Sequence, residues 1–169
     1  MKKLIVLIFL ININYSYSQS TPFLMSGFPI VLDSVDYTYN NGPIVADFNK
    51  DGENEILVGV NLFSLTGKVL LIDKTGNLIP NFPKKVSCVN SYIWVAAGDV
   101  NNDGFIDIIV KSDSLYVFNY SGISLPGFPT SIPNPDNSLG DFLGIYDLDN
   151  DNYLEIILVK KNKITVVNY

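Results

Sequence analysis

Histidine is absent from this 169-residue chain, and cysteine occurs once, at Cys88. The first absence removes the commonest general base, the Ser-His-Asp and Cys-His nucleophile systems, and every histidine-ligated zinc or iron site. The second rules out an internal disulfide, so core packing or bound metal must hold the fold, and Cys88 itself reads as a small, half-buried apolar side chain. Positive charge is also scarce: 11 Lys and Arg against 17 Asp and Glu leave a formal charge of −6. That balance argues against a nucleic-acid or anionic-membrane partner held by general electrostatics. Beyond the N-terminus no stretch keeps a 3.6-residue apolar period over a normal helix length or is long enough to span a bilayer, so essentially no helix and no membrane span are expected in the mature chain.

The N-terminus is a separate object. "MKKLIVLIFLININYSYSQS" opens with two lysines, continues through a short apolar stretch and ends in small and polar residues, with Ser16 and Ser18 in the positions that precede a cleavage site. This is the build of a secretory signal peptide over residues 1–18, cleaved near Ser18 to leave a mature chain from about Gln19, the size of one ordinary domain. Loss of Lys2 and Lys3 takes the formal charge from −6 to −8. The expected location is secreted, extracellular or at the cell surface.

What the chain does contain is repetition, which has to be sought before secondary structure is assigned. "ADFNKDGENEILVG", "GDVNNDGFIDIIVK" and "YDLDNDNYLEIILV" share Asp, any, Asn or Asp, any, Asp, Gly or Asn, two free positions, then Asp or Glu and a run of aliphatics. Their first aspartates, Asp47, Asp99 and Asp147, lie 52 and 48 residues apart. A second signature alternates with the first, as "LMSGFPIVL", "LIPNFPKKV" and "SLPGFPTSI", and a third links "VLLIDKTGN", "LYVFNYSGI" and the closing "ITVVNY". "PIVADF", "EILVGV", "KVLLID" and "NLIPNFPKKV", and their second-repeat counterparts "IWVAAGDV", "DIIVK", "SLYVFNY" and "ISLPGFPTSI", are short, rich in branched or aromatic residues and separated by turn residues. Four strands per repeat of about 50 residues is the size of a β-propeller blade. The expected fold is all-β: three four-stranded antiparallel propeller-like blades, at about 43–86, 93–132 and 143–169 with the last completed by 23–32, forming an incomplete or oligomer-completed β-propeller.

The acidic runs are explained if the charges are ligands. Carboxylates and amides at positions 1, 3 and 5 of a tight loop, the carbonyl at 7 and a carboxylate at 9 converge hard oxygens on one point, as Ca²⁺ requires. The sets are Asp47, Asn49, Asp51, the Glu53 carbonyl and Glu55; Asp99, Asn101, Asp103, the Phe105 carbonyl and Asp107; and Asp147, Asp149, Asp151, the Tyr153 carbonyl and Glu155. Gly52 and Gly104 at position 6 permit a positive φ, with Asn152 the next best residue there. About three Ca²⁺ ions are expected. Without a cation, three or four carboxylates at this spacing repel one another, and a divalent ion reverses the sign of the interaction. Asp, Asn and Gly also make ordinary solvated hairpin turns, but three copies, each with the acid at position 9, favour metal. An EF-hand is excluded, because its position 12 needs a bidentate Glu and here holds Val58, Val110 or Leu158.

With "GFP" or "NFP" between them, these loops resemble the FG-GAP/VCBS repeats of integrin-α-type β-propellers from secreted bacterial proteins. The resemblance implies calcium in the hairpin between the first two strands of each blade and a non-enzymatic extracellular role in adhesion, recognition or scaffolding, with an extracellular protein or glycan as partner. The alternative is a fragment or accessory domain of a calcium-dependent polysaccharide lyase or hydrolase. The acids outside the loops, Asp33, Asp36, Asp113, Asp136 and Asp141, form no active-site pattern. Three blades do not close a ring, so the chain is expected to be a fragment of a longer propeller, a homodimer completing a propeller, or an open array. Phe28, Phe82 and Phe128 are expected to wedge between blades while Pro29, Pro83 and Pro129 stiffen outer strands. Trp94, Tyr92, Tyr37 and Tyr39 are candidates for a carbohydrate face or for core, and Ser131–Asp141 is the candidate partner loop.

Overall fold

A computed structural model describes residues 24–31, 36–37, 42–62, 66–88, 92–132, 142–160 and 162–169. Among these residues every regular element is a strand, and all pairing is antiparallel. The first sheet holds β1 (Asp36–Tyr37), β2 (Ile44–Ala46), β3 (Glu55–Leu62), β4 (Thr66–Ile72) and β5 (Lys84–Ser87). β1 and β2 share one edge of β3, opposite Asn61–Leu62 and Glu55–Leu57 respectively, so five strands fill four positions. The second sheet runs β6 (Trp94–Gly98), β7 (Asp107–Lys111), β8 (Ser114–Phe118), β9 (Thr130–Ser131). The third has three described strands, β10 (Phe142–Tyr146), β11 (Glu155–Lys160) and β12 (Lys163–Val167).

Strand alternation sorts each sheet's side chains between two neighbours. Ile108 and Val110 of β7 join Leu57, Val69 and Leu71 in one core between the first and second sheets. Ile109 of β7, with Leu115 and Val117 of β8, joins Ile156 and Leu158 in a second core toward the third sheet. Both faces of β7 are therefore covered and all five of its residues are buried, which explains why "IIV" is an unbroken apolar run and not an alternating one. The sheets stack like propeller blades, each apolar on both sides.

The Phe-Pro segments lie where sheets meet. The Phe28-Pro29, Phe82-Pro83 and Phe128-Pro129 peptide bonds are all cis. Phe82 is buried in the first inter-sheet core, and Phe128 stacks on Tyr169 with ring centroids 6.2 Å apart. The expected completion of the third blade by 23–32 is not what the described residues show: Ile30 packs on the outer face of the first sheet, against the cluster of Val60, Leu70 and Ile72. Gly27 (φ 87°) lies so close to Thr75 and Gly76 that a Cβ has no room. Residues 1–23, including the expected signal peptide, lie outside the described residues, and no described helix is long and apolar enough to cross a membrane.

Candidate metal centres

The acidic loops connect β2 to β3, β6 to β7 and β10 to β11, and each closes on a cross-strand pair: Ala46 opposite Glu55, Gly98 opposite Asp107, Tyr146 opposite Glu155. The acid at position 9 is thus the first residue of β3, β7 or β11. This register sinks it into the sheet, where Glu55, Asp107 and Glu155 are 3, 0 and 3 % exposed, while Asp51, Asp103 and Asp151 at position 5 stay exposed. The loop therefore runs from solvent down to a buried carboxylate.

The three loops repeat one hydrogen-bond scheme. The carboxylate at position 1 accepts from the N–H groups of positions 5 and 6: Asp47 from Asp51 (3.1 Å) and Gly52 (2.9 Å), Asp99 from Asp103 (3.1 Å) and Gly104 (2.7 Å), Asp147 from Asp151 (3.1 Å) and Asn152 (3.1 Å). The side chain at position 3 accepts from the position 5 N–H, and the position 5 carboxylate accepts from the position 7 N–H at 2.8 Å in every copy. The buried acid at position 9 accepts from the N–H at position 2: Phe48 to Glu55 at 2.9 Å, Val100 to Asp107 at 3.2 Å, Leu148 to Glu155 at 2.6 Å. Positions 1, 3 and 5 are therefore tied into one turn in each loop, and among the described residues three carboxylates come within 4.8 Å of one another in the third loop, at Asp147, Asp149 and Asp151; the position 9 acids are held by the position 2 N–H, and at position 7 the structure shows the N–H of Glu53, Phe105 and Tyr153 engaged.

Sequence reasoning missed three features. Position 4 is left-handed as well as position 6, with φ of 61° at Lys50, 57° at Asn102 and 65° at Asn150; asparagine at two of the three was the available signal. Position 2 supplies the amide that holds the buried acid. The first loop also reaches the second sheet, where Asn49 Nδ2 donates to the Tyr120 hydroxyl at 3.2 Å and the Lys50 ammonium lies 5.6 Å from the Phe105 ring centroid.

Electrostatics point to a missing positive charge. Burial, reinforced by Asp103 and Asp99, pushes Asp107 up to about 6 even though the Val100 amide pulls the other way. Its Oδ1 is buried with no hydrogen-bond partner. Glu55 is raised by burial, with Asp51, Asp47 and Asp73 adding to the effect. A buried carboxylate oxygen left unpaired is costly and calls for an unseen partner. The donor set is all oxygen, clustered and acidic, which suits Ca²⁺ better than a softer ion.

Other candidate residues have plainer surroundings. Trp94 packs on Phe142 of the third sheet (centroids 5.6 Å apart) with its Nε1 buried, and Asp113 accepts from the Ser87 hydroxyl at 2.9 Å. Asp33, Asp136, Asp141, Tyr39 and nearly all of the Ser131–Asp141 loop lie outside the described residues, as do the side chains of Asp36 and Tyr37. No curated protein and no solved structure matches the chain. Residues 47–110 match the family model of the FG-GAP-like repeat. The match begins at the first aspartate of the first loop and ends within β7, so what is similar to an FG-GAP-like repeat is the span from the first acidic loop into the second sheet.

Proposed function

We propose that the protein is a non-enzymatic, calcium-stabilised extracellular module for adhesion, recognition or scaffolding, with one Ca²⁺ in each of the three loops. The observation that supports it is the threefold recurrence of one loop scheme that runs from exposed carboxylates to a buried strand acid, with Asp107 Oδ1 buried and unpaired in the second copy. Asp47, Asn49, Asp51 and Glu55 would hold the first ion, Asp99, Asn101, Asp103 and Asp107 the second, and Asp147, Asp149, Asp151 and Glu155 the third, with the carbonyls of Glu53, Phe105 and Tyr153 completing the sets. The ion supplies positive charge, so its chemistry is structural: it ties the solvent end of each hairpin to the first residue of the second strand and converts repulsion into attraction. The FG-GAP-like repeat and the signal-peptide-like N-terminus support export. An extracellular protein or glycan is the class of partner.

Equilibrium dialysis should find three Ca²⁺ per chain, and Asp103→Ala should lower that to two while leaving the fold intact. Because the ion binds only the folded state, EDTA should lower the melting temperature markedly: three sites at a hundredfold excess over Kd contribute about 8 kcal/mol by linkage. An unchanged melting curve in EDTA, or no stoichiometric metal on folded protein, sinks the reading.

A further inference from the structure

Each internal Phe-Pro segment makes two sets of contacts. One is with the third strand of its own sheet: Ile72 bridges Leu78, Ile79 N–H donates to the Leu71 carbonyl at 2.9 Å, and Val69 and Lys68 pair with Lys84 and Lys85. The next segment repeats this, with Phe118 bridging Ser124, Leu125 N–H on the Val117 carbonyl at 2.9 Å, and Leu115 and Ser114 paired with Thr130 and Ser131. The other set is with the following sheet: Asn81 Nδ2 donates to the Ser121 carbonyl at 3.2 Å, and Phe128 stacks on Tyr169.

Leu24–Val31 has the same internal turn, Phe28 N–H to the Met25 carbonyl at 3.1 Å, matching Phe82 to Ile79 (3.1 Å) and Phe128 to Leu125 (3.2 Å). It shows the second set, with Gly27 against Thr75 and Gly76 where Asn81 meets Ser121, and Ile30 on the first sheet. The first set is what it lacks among the described residues. Met25 is 65 % exposed where the aligned Ile79 and Leu125 are 9 and 8 % exposed, and Val31 is 87 % exposed. At the other end of the stack the complementary surface is open. Among the described residues β12 pairs only with β11, and Ile164 and Val166 are 68 and 43 % exposed, where the aligned Leu115 and Val117 are both fully buried. Beside the segment, Leu24, Met25, Phe28, Val45 and Ile56 line an open apolar cleft of about 410 Å³ on the first sheet.

We propose that two copies of this chain associate head to tail, with Leu24–Val31 of each copy serving as the fourth strand beside β12 of the other. The outer face of the third sheet then packs on the first sheet of the second copy, as the second sheet already packs on the third within one chain. The register carries over from both internal examples: Ile164 opposite Ile30, Lys163 opposite Val31, and Val167 bridging Leu24. The exchange is reciprocal, so two chains place six blades in a ring, within the four-to-eight range of propellers. The donor positions suit an intermolecular seam, because Ile30 and Val31 stand where the internal strands have Lys84 and Lys85 or Thr130 and Ser131. Nothing in this contact uses the calcium ligands, so it stands or falls separately from the metal reading.

The test is the solution mass of the purified chain in Ca²⁺ buffer together with engineered cross-links. Directly opposed strand residues place Cβ atoms about 5 Å apart, within reach of a disulfide once the strands adjust. Expected results are a two-chain mass, a two-chain cross-link when Val31→Cys and Lys163→Cys are combined, and a heterodimer when the two single variants are mixed. Ile164→Asp with Val166→Asp should shift the mass to one chain with an unchanged far-ultraviolet circular dichroism spectrum. A one-chain mass with no interchain cross-link overturns the proposal in favour of another occupant, and a cross-link within a single chain overturns it in favour of self-closure. A ladder longer than two chains overturns the closed pair.

Discussion

The second and third sheets are built from the same repeat and differ in how many neighbours they have. Val117 and Val166 occupy the same strand position, yet the first is fully buried and the second 43 % exposed. Val100 and Leu148 occupy position 2 of their loops, yet the first is fully buried and the second 56 % exposed. Gly98 has no space for a Cβ beneath Ile145 and Leu154, whereas Tyr146, its counterpart, is 66 % exposed. The apolar pattern therefore describes a blade meant to be covered on both sides, and burial is decided by whether a neighbour is present. The loops follow a different rule: their hydrogen-bond scheme is the same in both sheets, so it is set locally.

Paired truncations break this comparison most directly. Leu115→Ala removes a fully buried side chain from a packed core and should cost about 2–5 kcal/mol. Ile164→Ala at the equivalent position should alter single-chain stability by no more than about 0.5 kcal/mol, since its side chain is 68 % exposed. Urea unfolding at low protein concentration, where any association is diluted away, measures both. Equal costs would mean that the third sheet's outer face is covered within the chain.

A second contrast is in pH. In the metal-free protein Asp107 has a folded-state value raised to about 6, above the ordinary carboxylate range, so the folded state holds its proton after the unfolded state has released it. Stability in EDTA should accordingly fall as pH rises from about 4 through about 6, on the order of 2 kcal/mol. Asp107→Asn should flatten that slope. Asp51 and Asp73 act with the opposite sign, because hydrogen bonds lower both, so their contribution is present above pH 4 and lost below it. With Ca²⁺ the Asp107 slope should reverse, since the ion competes with the proton for the same oxygen. Thermal melts between pH 4 and 7 with and without chelator measure both signs.

Much of this was legible in the residues because it is local. Turn chemistry and the acid at position 9 mark the hairpins, and a run of branched apolar residues such as "IIV" marks a strand. The left-handed residue at position 4 was harder to see, since Lys50 is a poor advertisement for positive φ. Long-range pairing was the real limit. The match between "LMSGFPIVL" and the later Phe-Pro segments identifies what kind of strand Leu24–Val31 is, but similarity does not say which sheet edge it reaches. The two contacts that define such a segment are separable, and among the described residues the one with the first sheet is seen.

The smallest expected effect concerns position 6, where the second loop has Gly104 at φ 90° and the third has Asn152 at φ 72°. Asparagine tolerates the left-handed region, but its Cβ still carries a penalty that glycine escapes, while glycine costs more unfolded-chain entropy. With the loop geometry already fixed by Asp147 accepting the position 6 N–H, relief of strain should prevail. Asn152→Gly should therefore raise stability by a few tenths of a kcal/mol, a shift of about 1–2 °C for a chain of this size, and tighten the third Ca²⁺ site slightly. The reverse change, Gly104→Asn, should cost more than the first gains. Its Cβ would come 3.2 Å from the Lys50 ammonium, disturbing the contact of that side chain with Phe105 as well as the backbone. Calorimetry and calcium titration on both variants give the answer, and a weaker third site in Asn152→Gly would show that the Asn152 side chain, and not only its backbone, belongs to the metal centre.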